Sequence, residues 1–258
     1  MNLEDLGKAA RAASKILATA PTRQKNDCLY AIAKALRARS RQILHENAID
    51  LESGRSGELS PPMLDRLELT RDRIEAMADS LIGIAQLPDP VGEVSDLRRQ
   101  PSGIEVGRMR VPLGVIGIIY ESRPNVTSDA AGLCLKSGNA SILRGGTEAI
   151  RSNLSIADSI LDGLTVAGLP RDCVQVVDTT DRAAVGTLLR LKDDIDVIVP
   201  RGGRSLIDRV VKESEIPVIR HLDGNCHVFI DEAADIDKAV AIAYNAKCRR
   251  YGVCGAME

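Results

Sequence analysis

Aromatic side chains are nearly missing from this chain: four Tyr, one Phe and no Trp are spread over 258 residues. Surfaces that hold single-stranded nucleic acid need aromatic faces on which bases stack, so that class is disfavoured. An excess of one charge is lacking as well, because 34 Lys and Arg stand against 36 Asp and Glu for a net charge of −2. A protein that tracks a phosphate backbone carries a basic footprint, and a balanced chain gives no sign of one. Long hydrophobic runs are missing too. The longest, Val111 to Tyr120, is broken by Pro112, Gly114 and Gly117, and it has about half the length that spans a bilayer. Glu4 and Asp5 precede any apolar stretch, so no secretory leader is expected. The six cysteines include no C-x-x-C and no paired framework spacing. In a chain of this size they read as free thiols of a reducing cytoplasm. His221, Cys226, His227, Cys248 and Cys254 gather in one stretch without a C-x₂₋₄-C pair, and no metal is expected there. At about 150 residues per domain the length allows one large or two modest domains, enough to bury a core without covalent staples.

The first part reads as helices. Leu3, Leu6, Ala10, Ala13 and Leu17 recur every three or four residues, an amphipathic stripe. Pro21-Thr22 opens a second helical stretch through Leu29, Ile32 and Leu36, continuing with a break towards Leu51 and closing at Gly54 and Gly57. Ser60-Pro61 reads as a cap followed by proline at the first helical position. Thr70 offers another cap, ahead of the stripe Ile74, Met77, Leu81 and Ile84. Residues 88–100 read as a polar connector.

After residue 100 the pattern changes. Residues 104–110 alternate in character and suit an exposed antiparallel strand. Short apolar runs follow at 115–120, 141–144, 173–177, 196–200, 217–220 and 226–230. Helices are expected to start near Pro124, Thr147, Asp181 and Gly203, with a last one over 236–244; Gly168, with Pro170 close behind, marks a helix stop. Continuous apolar strands alternating with helices predict an α/β fold, an open parallel sheet covered on both faces behind a helical N-terminal layer. Ligands of such sheets bind outside the carboxyl ends of the strands.

Three of those strand ends carry unusual residues. The first run is followed by Glu121-Ser122-Arg123-Pro124-Asn125-Val126-Thr127. Arg123 offers a fork for phosphate or carboxylate, the helix start at Pro124 favours anions, and the Asn125 amide suits a developing oxyanion. An ordinary turn with a capping Asn accounts for the same residues. The second run is followed by Arg144-Gly145-Gly146-Thr147, either a phosphate contact or a plain glycine turn with a solvated Arg. The fourth is followed by Pro200-Arg201-Gly202-Gly203-Arg204-Ser205, where two glycines let the backbone approach a ligand closely. This is neither G-x-G-x-x-G nor a P-loop. Three Gly/Arg turns on one edge of one sheet together point to a phosphorylated nucleotide lying across the strand ends. Among the cysteines, Cys28, Cys134, Cys173 and Cys226 sit in apolar surroundings and read as core, and Cys248 trails a helix. Cys254 lies in Gly252-Val253-Cys254-Gly255. Such a loop exposes a thiol, and a thiolate is a ready nucleophile; a hydrophobic loop cysteine is the other reading.

Residues 111–127, Val-Pro-Leu-Gly-Val-Ile-Gly-Ile-Ile-Tyr-Glu-Ser-Arg-Pro-Asn-Val-Thr, closely resemble the γ-glutamyl phosphate reductases, a family of the aldehyde dehydrogenase superfamily. So do Lys136-Ser137-Gly138-Asn139-Ala140, Leu143-Arg144-Gly145-Gly146, Val199-Pro200-Arg201-Gly202-Gly203, His221-Leu222-Asp223-Gly224-Asn225-Cys226-His227 and Asn245-Ala246-Lys247. The likeness runs along essentially the whole chain. It implies a cytoplasmic enzyme of proline biosynthesis that reduces L-glutamate 5-phosphate with NADPH to glutamate 5-semialdehyde and phosphate. It further implies a homo-oligomer with a functional link to glutamate 5-kinase. Position by position, it implies Cys254 as nucleophile and Asn125 as oxyanion donor. Arg144, Gly145 and Gly146, with Pro200, Gly202 and Gly203, are implied to lie against the cofactor's adenosine and phosphates. Arg123 is assigned to a substrate anion on its own chemistry. Residues 1–102 and 114–229 correspond to the NADP(H)-binding domain, 103–113 to a strand of the oligomerisation element, and 230–258 to the start of the catalytic domain.

His221 stands where hydrolytic aldehyde dehydrogenases place a general-base Glu, a change expected when phosphate rather than water partners the acyl-enzyme. The chain departs from the family in its nucleophile loop and in its length. It has Tyr251-Gly252-Val253-Cys254-Gly255 where members carry Pro-Gly-Val-Cys-Asn. Members of the family continue well past the nucleophile loop. The chain is therefore expected to be a fragment of a longer enzyme, or a non-catalytic NADP(H)-binding remnant. An acyl-coenzyme A-reducing relative is the rival enzyme reading, against which the 121–125 run stands.

Overall fold

The computed structural model describes residues 2–181, 183–221, 224–249 and 255–257. The chain opens with helices α1 (Leu3–Leu17), α2 (Thr22–Ala38), α3 (Ser40–Ser56), α4 (Pro61–Leu67) and α5 (Arg71–Gln86). Two of them start at side-chain caps. Asn2 caps α1 by accepting from the Glu4 N–H, and the Thr70 hydroxyl caps α5 by accepting from the Arg73 N–H. The break expected after Leu36 falls at Arg39, which lies between α2 and α3. The apolar stripes then turn inward: Leu6, Ala10, Ala13 and Leu17 of α1 and Ile74, Met77, Leu81 and Ile84 of α5 are all buried.

Next come β1 (Val94–Arg99) and β2 (Glu105–Met109), an antiparallel pair whose residues are all exposed. The strand expected over 104–110 is present. Its partner β1 is a correction to the polar connector expected over 88–100. The β1 run, Val94-Ser95-Asp96-Leu97-Arg98-Arg99, does not alternate in polarity, so nothing in its own sequence marks it as a strand. It is paired by β2 instead, Val94 opposite Met109 and Arg99 opposite Glu105.

The sheet that matters for function comes next: β3 (Val115–Tyr120), α6 (Asn125–Lys136), β4 (Ala140–Arg144), α7 (Ile150–Val166), β5 (Val174–Val176), α8 (Ala183–Leu188), β6 (Val197–Arg201) and α9 (Arg204–Glu213). Its strand order is β5-β4-β3-β6, and every pairing is parallel. Successive side chains point to opposite faces, and both faces are covered. On one, Ile118, Tyr120, Leu143 and Val174 pack with Leu29, Ile32, Leu81, Leu135, Ile156 and Ile160 of the surrounding helices. On the other, Val115, Ile119, Ala140 and Ile142 pack with Leu6 and Ala10 of α1, Val185 and Leu188 of α8 and Val210 of α9. The chain is thus an α/β protein with a parallel sheet buried on both sides, as expected.

The run at 217–220 contributes only one parallel bridge, Ile198 to Val218. Pro217 brings no N–H to extend a ladder, and the segment's two backbone hydrogen bonds to β6 both involve Ile198, whose N–H donates to the Pro217 carbonyl and whose carbonyl accepts from the Ile219 N–H. The helix expected from Thr147 begins as a 3₁₀ turn, Thr147–Ala149, before α7. Gly168, at φ +65, ends that helix in the left-handed region that favours glycine.

Several buried polar groups are paired. The Asn47 amide donates to the Leu67 carbonyl at 2.8 Å and accepts from the Leu69 N–H at 2.8 Å. Lys25, 1% exposed, pairs with Asp89 at 2.7 Å. Lys136 donates to Asn26 and to the Ala85 carbonyl, and burial holds its ammonium below the ordinary lysine range.

Residues 220–258 form a separate compact unit. It contains helix α10 (Ile236–Cys248), capped by Asp235, which accepts from the Lys238 N–H. A parallel bridge joins Cys226 to Met257. Residues 226–230 are not a strand; they make that bridge alone among the described residues. Phe229, Ile236, Val240 and Tyr244 are exposed within this unit.

Candidate active site

Parallel pairing in register brings three strand ends to one edge. Ile119 lies opposite Arg144 on one side and Pro200 on the other, and Tyr120 lies opposite Arg201. The turns after β3, β4 and β6 therefore stand side by side. The chain leaves β3 towards β4 and leaves β6 in the opposite direction, towards Val218. The reversal falls between β3 and β6, the switch point at which open α/β sheets take their ligands.

Two carboxylates stitch these turns together. The Gly203 N–H, at the cap of α9, donates to Glu121 Oε2 at 2.8 Å. The Ser122 N–H donates to Glu148 Oε1 at 2.6 Å, and the Ser122 hydroxyl donates to the same oxygen. Ser122 sits at φ +35, in the left-handed region, so its two bonds to Glu148 hold a backbone geometry that a serine seldom adopts. Behind the turns lies a buried chain in which the Tyr120 and Thr127 hydroxyls are 2.7 Å apart and Thr127 donates to Asn153 at 3.0 Å. Burial raises the Tyr120 phenol above its ordinary range, opposed by Thr127 and the nearby Arg144.

The residues singled out from sequence divide between surface and interior. Gly202 and Gly203 are exposed, with Pro200 buried beneath them. Arg144, Gly145 and Gly146 are all buried, and Arg144 Nη1 donates to the Gly145 carbonyl at 2.8 Å, so the arginine braces its turn from below. A side chain at Gly145 would run into the Asn153 amide. Arg123 is half-buried beside Pro124. Asn125 opens α6, and its amide N–H₂ donates to Asp129 Oδ2 at 3.0 Å. Burial lifts the Asp129 carboxyl above the usual carboxylate range, while the Asn125 amide and the Ser80 hydroxyl draw it back. Cys254 and its neighbours Tyr251, Gly252 and Val253 lie outside the described residues, as do Leu222 and Asp223.

Glu121, Ser122, Glu148 and Asp129 were not picked out from sequence. An acid is the last residue type to be sought at an anion site, and only the fold brings Glu148 across to Ser122. Among the described residues no cluster of His, Cys, Asp and Glu could hold a metal ion, and no helix is long and apolar enough to cross a membrane.

The family model of the aldehyde dehydrogenases matches residues 1–257. The chain belongs to the aldehyde dehydrogenase family. Among solved structures, γ-glutamyl phosphate reductase from Thermotoga maritima is 42% identical, with a TM-score of 0.91 over 98% of this chain and 61% of that one. The Saccharomyces cerevisiae γ-glutamyl phosphate reductase is 34% identical, with a TM-score of 0.80 over 98% of this chain and 65% of that one. An acetylating aldehyde dehydrogenase from Geobacillus thermoglucosidasius shares the fold at 20% identity, with a TM-score of 0.64 over 97% of this chain and 52% of that one. This aldehyde dehydrogenase family chain spans less than two thirds of the length of either reductase. Enzymes of the family use a nicotinamide dinucleotide, and the strand-end turns suit its phosphates. Gly202 and Gly203 present open backbone at the start of a helix, and a carboxylate already lies on the Gly203 N–H, so this turn accepts an anion.

Proposed function

We propose that this chain is the nucleotide-binding part, with the nucleophile loop, of an NADPH-dependent reductase of proline biosynthesis that converts L-glutamate 5-phosphate to L-glutamate 5-semialdehyde and phosphate. The observation that carries this reading is the 42% identity to a γ-glutamyl phosphate reductase over 98% of the chain. The acyl-coenzyme A-reducing alternative has support from fold alone, at 20% identity to an acetylating aldehyde dehydrogenase.

The residues suit the chemistry. The Cys254 thiolate attacks the acyl carbon, and the C–O bond to phosphate breaks as phosphate leaves with the electron pair, forming a thioester on sulfur. Asn125 donates its amide to the oxyanion of the tetrahedral intermediate, together with the Cys254 N–H. When bound, the reduced nicotinamide supplies a hydride to the thioester carbon. The resulting thiohemiacetal collapses, the C–S bond breaks, and the aldehyde and thiolate separate. Arg123 receives the substrate's anionic end. Gly202 and Gly203 meet the dinucleotide phosphates, and Arg144, Gly145 and Gly146 shape the neighbouring turn. The acyl phosphate is supplied by a kinase acting on the γ-carboxyl of glutamate. The β1–β2 hairpin, with Val94, Leu97, Val106 and Met109 exposed, pairs with further copies of the chain.

The test is NADPH oxidation with L-glutamate 5-phosphate offered against acyl-coenzyme A. Phosphate-releasing oxidation is expected, and Asn125→Ala should lower kcat by about 10²–10³-fold with little change in KM. Oxidation only with the coenzyme A ester would overturn the substrate, and NADPH oxidation unaffected by Cys254→Ser would overturn the nucleophile.

A further inference from the structure

The contact between Glu121 and Gly203 has a consequence for how a dinucleotide enters. Gly203 caps a ten-residue helix, and its N–H is among the free donors that give a helix start its affinity for anions. In this structure the donor is already taken by a carboxylate of the same chain, 2.8 Å away. That carboxylate lies flat against the glycine turn, because a Cβ placed on Gly202 would stand 2.5 Å from Glu121 Oε2. Among the described residues Glu121 makes no ion pair; Arg204, the first residue of α9, contacts Asp208 at 3.8 Å. Glu121 is therefore held at its carboxylate by one hydrogen bond, at a partly exposed position. Glu148 differs: it takes two bonds from Ser122 and is tied into the turn it supports.

We propose that Glu121 is a built-in competitor for the anion-accepting turn at the start of α9, displaced when a phosphate of the dinucleotide takes the Gly203 N–H. This rests on the reading of that turn as the phosphate site. A phosphate offers more acceptor oxygens and more charge than a carboxylate, so it wins the N–H. It must still expel a like-charged group held at contact distance. Glu121 thus keeps the empty turn capped and weakens the grip on the bound nucleotide, which favours release after reduction.

The experiment compares the wild-type chain with E121Q, E121A and E148Q, measuring equilibrium binding of NADPH and of inorganic pyrophosphate and the rate of NADPH dissociation. E121Q and E121A are expected to bind both probes about 3- to 10-fold more tightly, with slower NADPH release, while E148Q gains nothing. NADPH binding to wild type with no tightening in either Glu121 variant overturns the competitor and leaves the cofactor reading standing. Tighter pyrophosphate binding by E121Q in a chain that binds no nicotinamide nucleotide leaves the competitor standing and overturns the cofactor reading. Binding of neither probe by any of the four overturns both. The wild-type chain gives a check that needs no variant: on saturation with NADPH the Gly203 amide proton, followed by NMR, should lose its Glu121 neighbour. A Glu121 that stays in place overturns the proposal.

Discussion

An amide side chain has two chemically opposite ends, and which end faces the substrate decides whether Asn125 helps or hinders an oxyanion. Asp129 settles the choice. As a carboxylate it can only accept, so it binds the N–H₂ end at 3.0 Å and fixes the amide's orientation. Asp129→Asn removes that discrimination; kcat in the reductase assay should fall about tenfold while KM holds, and Asp129→Glu should recover part of it. Equal loss in both variants would assign Asp129 a purely structural role. The thiols separate at the same scale. Burial pushes Cys28, Cys134 and Cys173 each up to about 12, so at neutral pH they hold almost no thiolate. Cys248 is exposed. Alkylation followed by peptide mass spectrometry should label Cys254 first and Cys248 next, leaving the three core thiols unmodified in the folded protein. Labelling of Cys248 ahead of Cys254 would remove the nucleophile assignment.

Helices α2, α5 and α6 meet over a group of charges that the apolar core cannot solvate. Lys25 on α2 pairs with Asp89 just past α5, and Lys136 at the end of α6 lies within reach of both. Burial pushes the Asp89 carboxyl up, yet bonds from the Lys25 ammonium, the Thr22 hydroxyl and the Val91 N–H pull it further down, leaving it below the ordinary value. A carboxyl lowered in the folded state adds stability that is fully present above its unfolded pKa of about 3.9 and is lost as pH falls through the folded value. Wild type should therefore lose stability on acidification below about pH 4 more steeply than Asp89→Asn. At neutral pH, where Asp89→Asn leaves Lys25 buried without its anion, the variant should be less stable by about 3 kcal/mol. Adding Lys25→Met should return part of that loss. Urea titrations from pH 3 to 7 measure all three, and parallel acid limbs for wild type and variant would sink the assignment.

At the scale of the whole molecule, the β1–β2 hairpin exposes every residue of both strands. Val94 and Met109 face each other across the ladder at 55% and 63% exposure. Isolated two-stranded ribbons are marginal in water, and open edges invite pairing. Replacing both residues with Asp should lower the mass of the assembly in light scattering while leaving NADPH affinity unchanged. An unaltered mass would remove the hairpin from the interface.

Much of the fold is legible in the residues themselves. The stripe of α1, the Thr70 cap and the short apolar run of β3 each carry their own physical cause within a few positions. The Gly/Arg turns are legible for the same reason, since glycine pairs at strand ends are local signals. What the sequence alone could not decide are the relations across long separations. Strand β1 has no alternation of polarity to give it away and exists through pairing with β2. Val218 makes one bridge to the sheet, next to a proline that has no N–H to extend a ladder. The carboxylates of Glu121 and Glu148 became part of the strand-end edge only when parallel pairing set β3 between β4 and β6, so that Glu121 met Gly203, 82 positions away along the chain. A side chain's type is written in the sequence, whereas its partner is chosen by the sheet order.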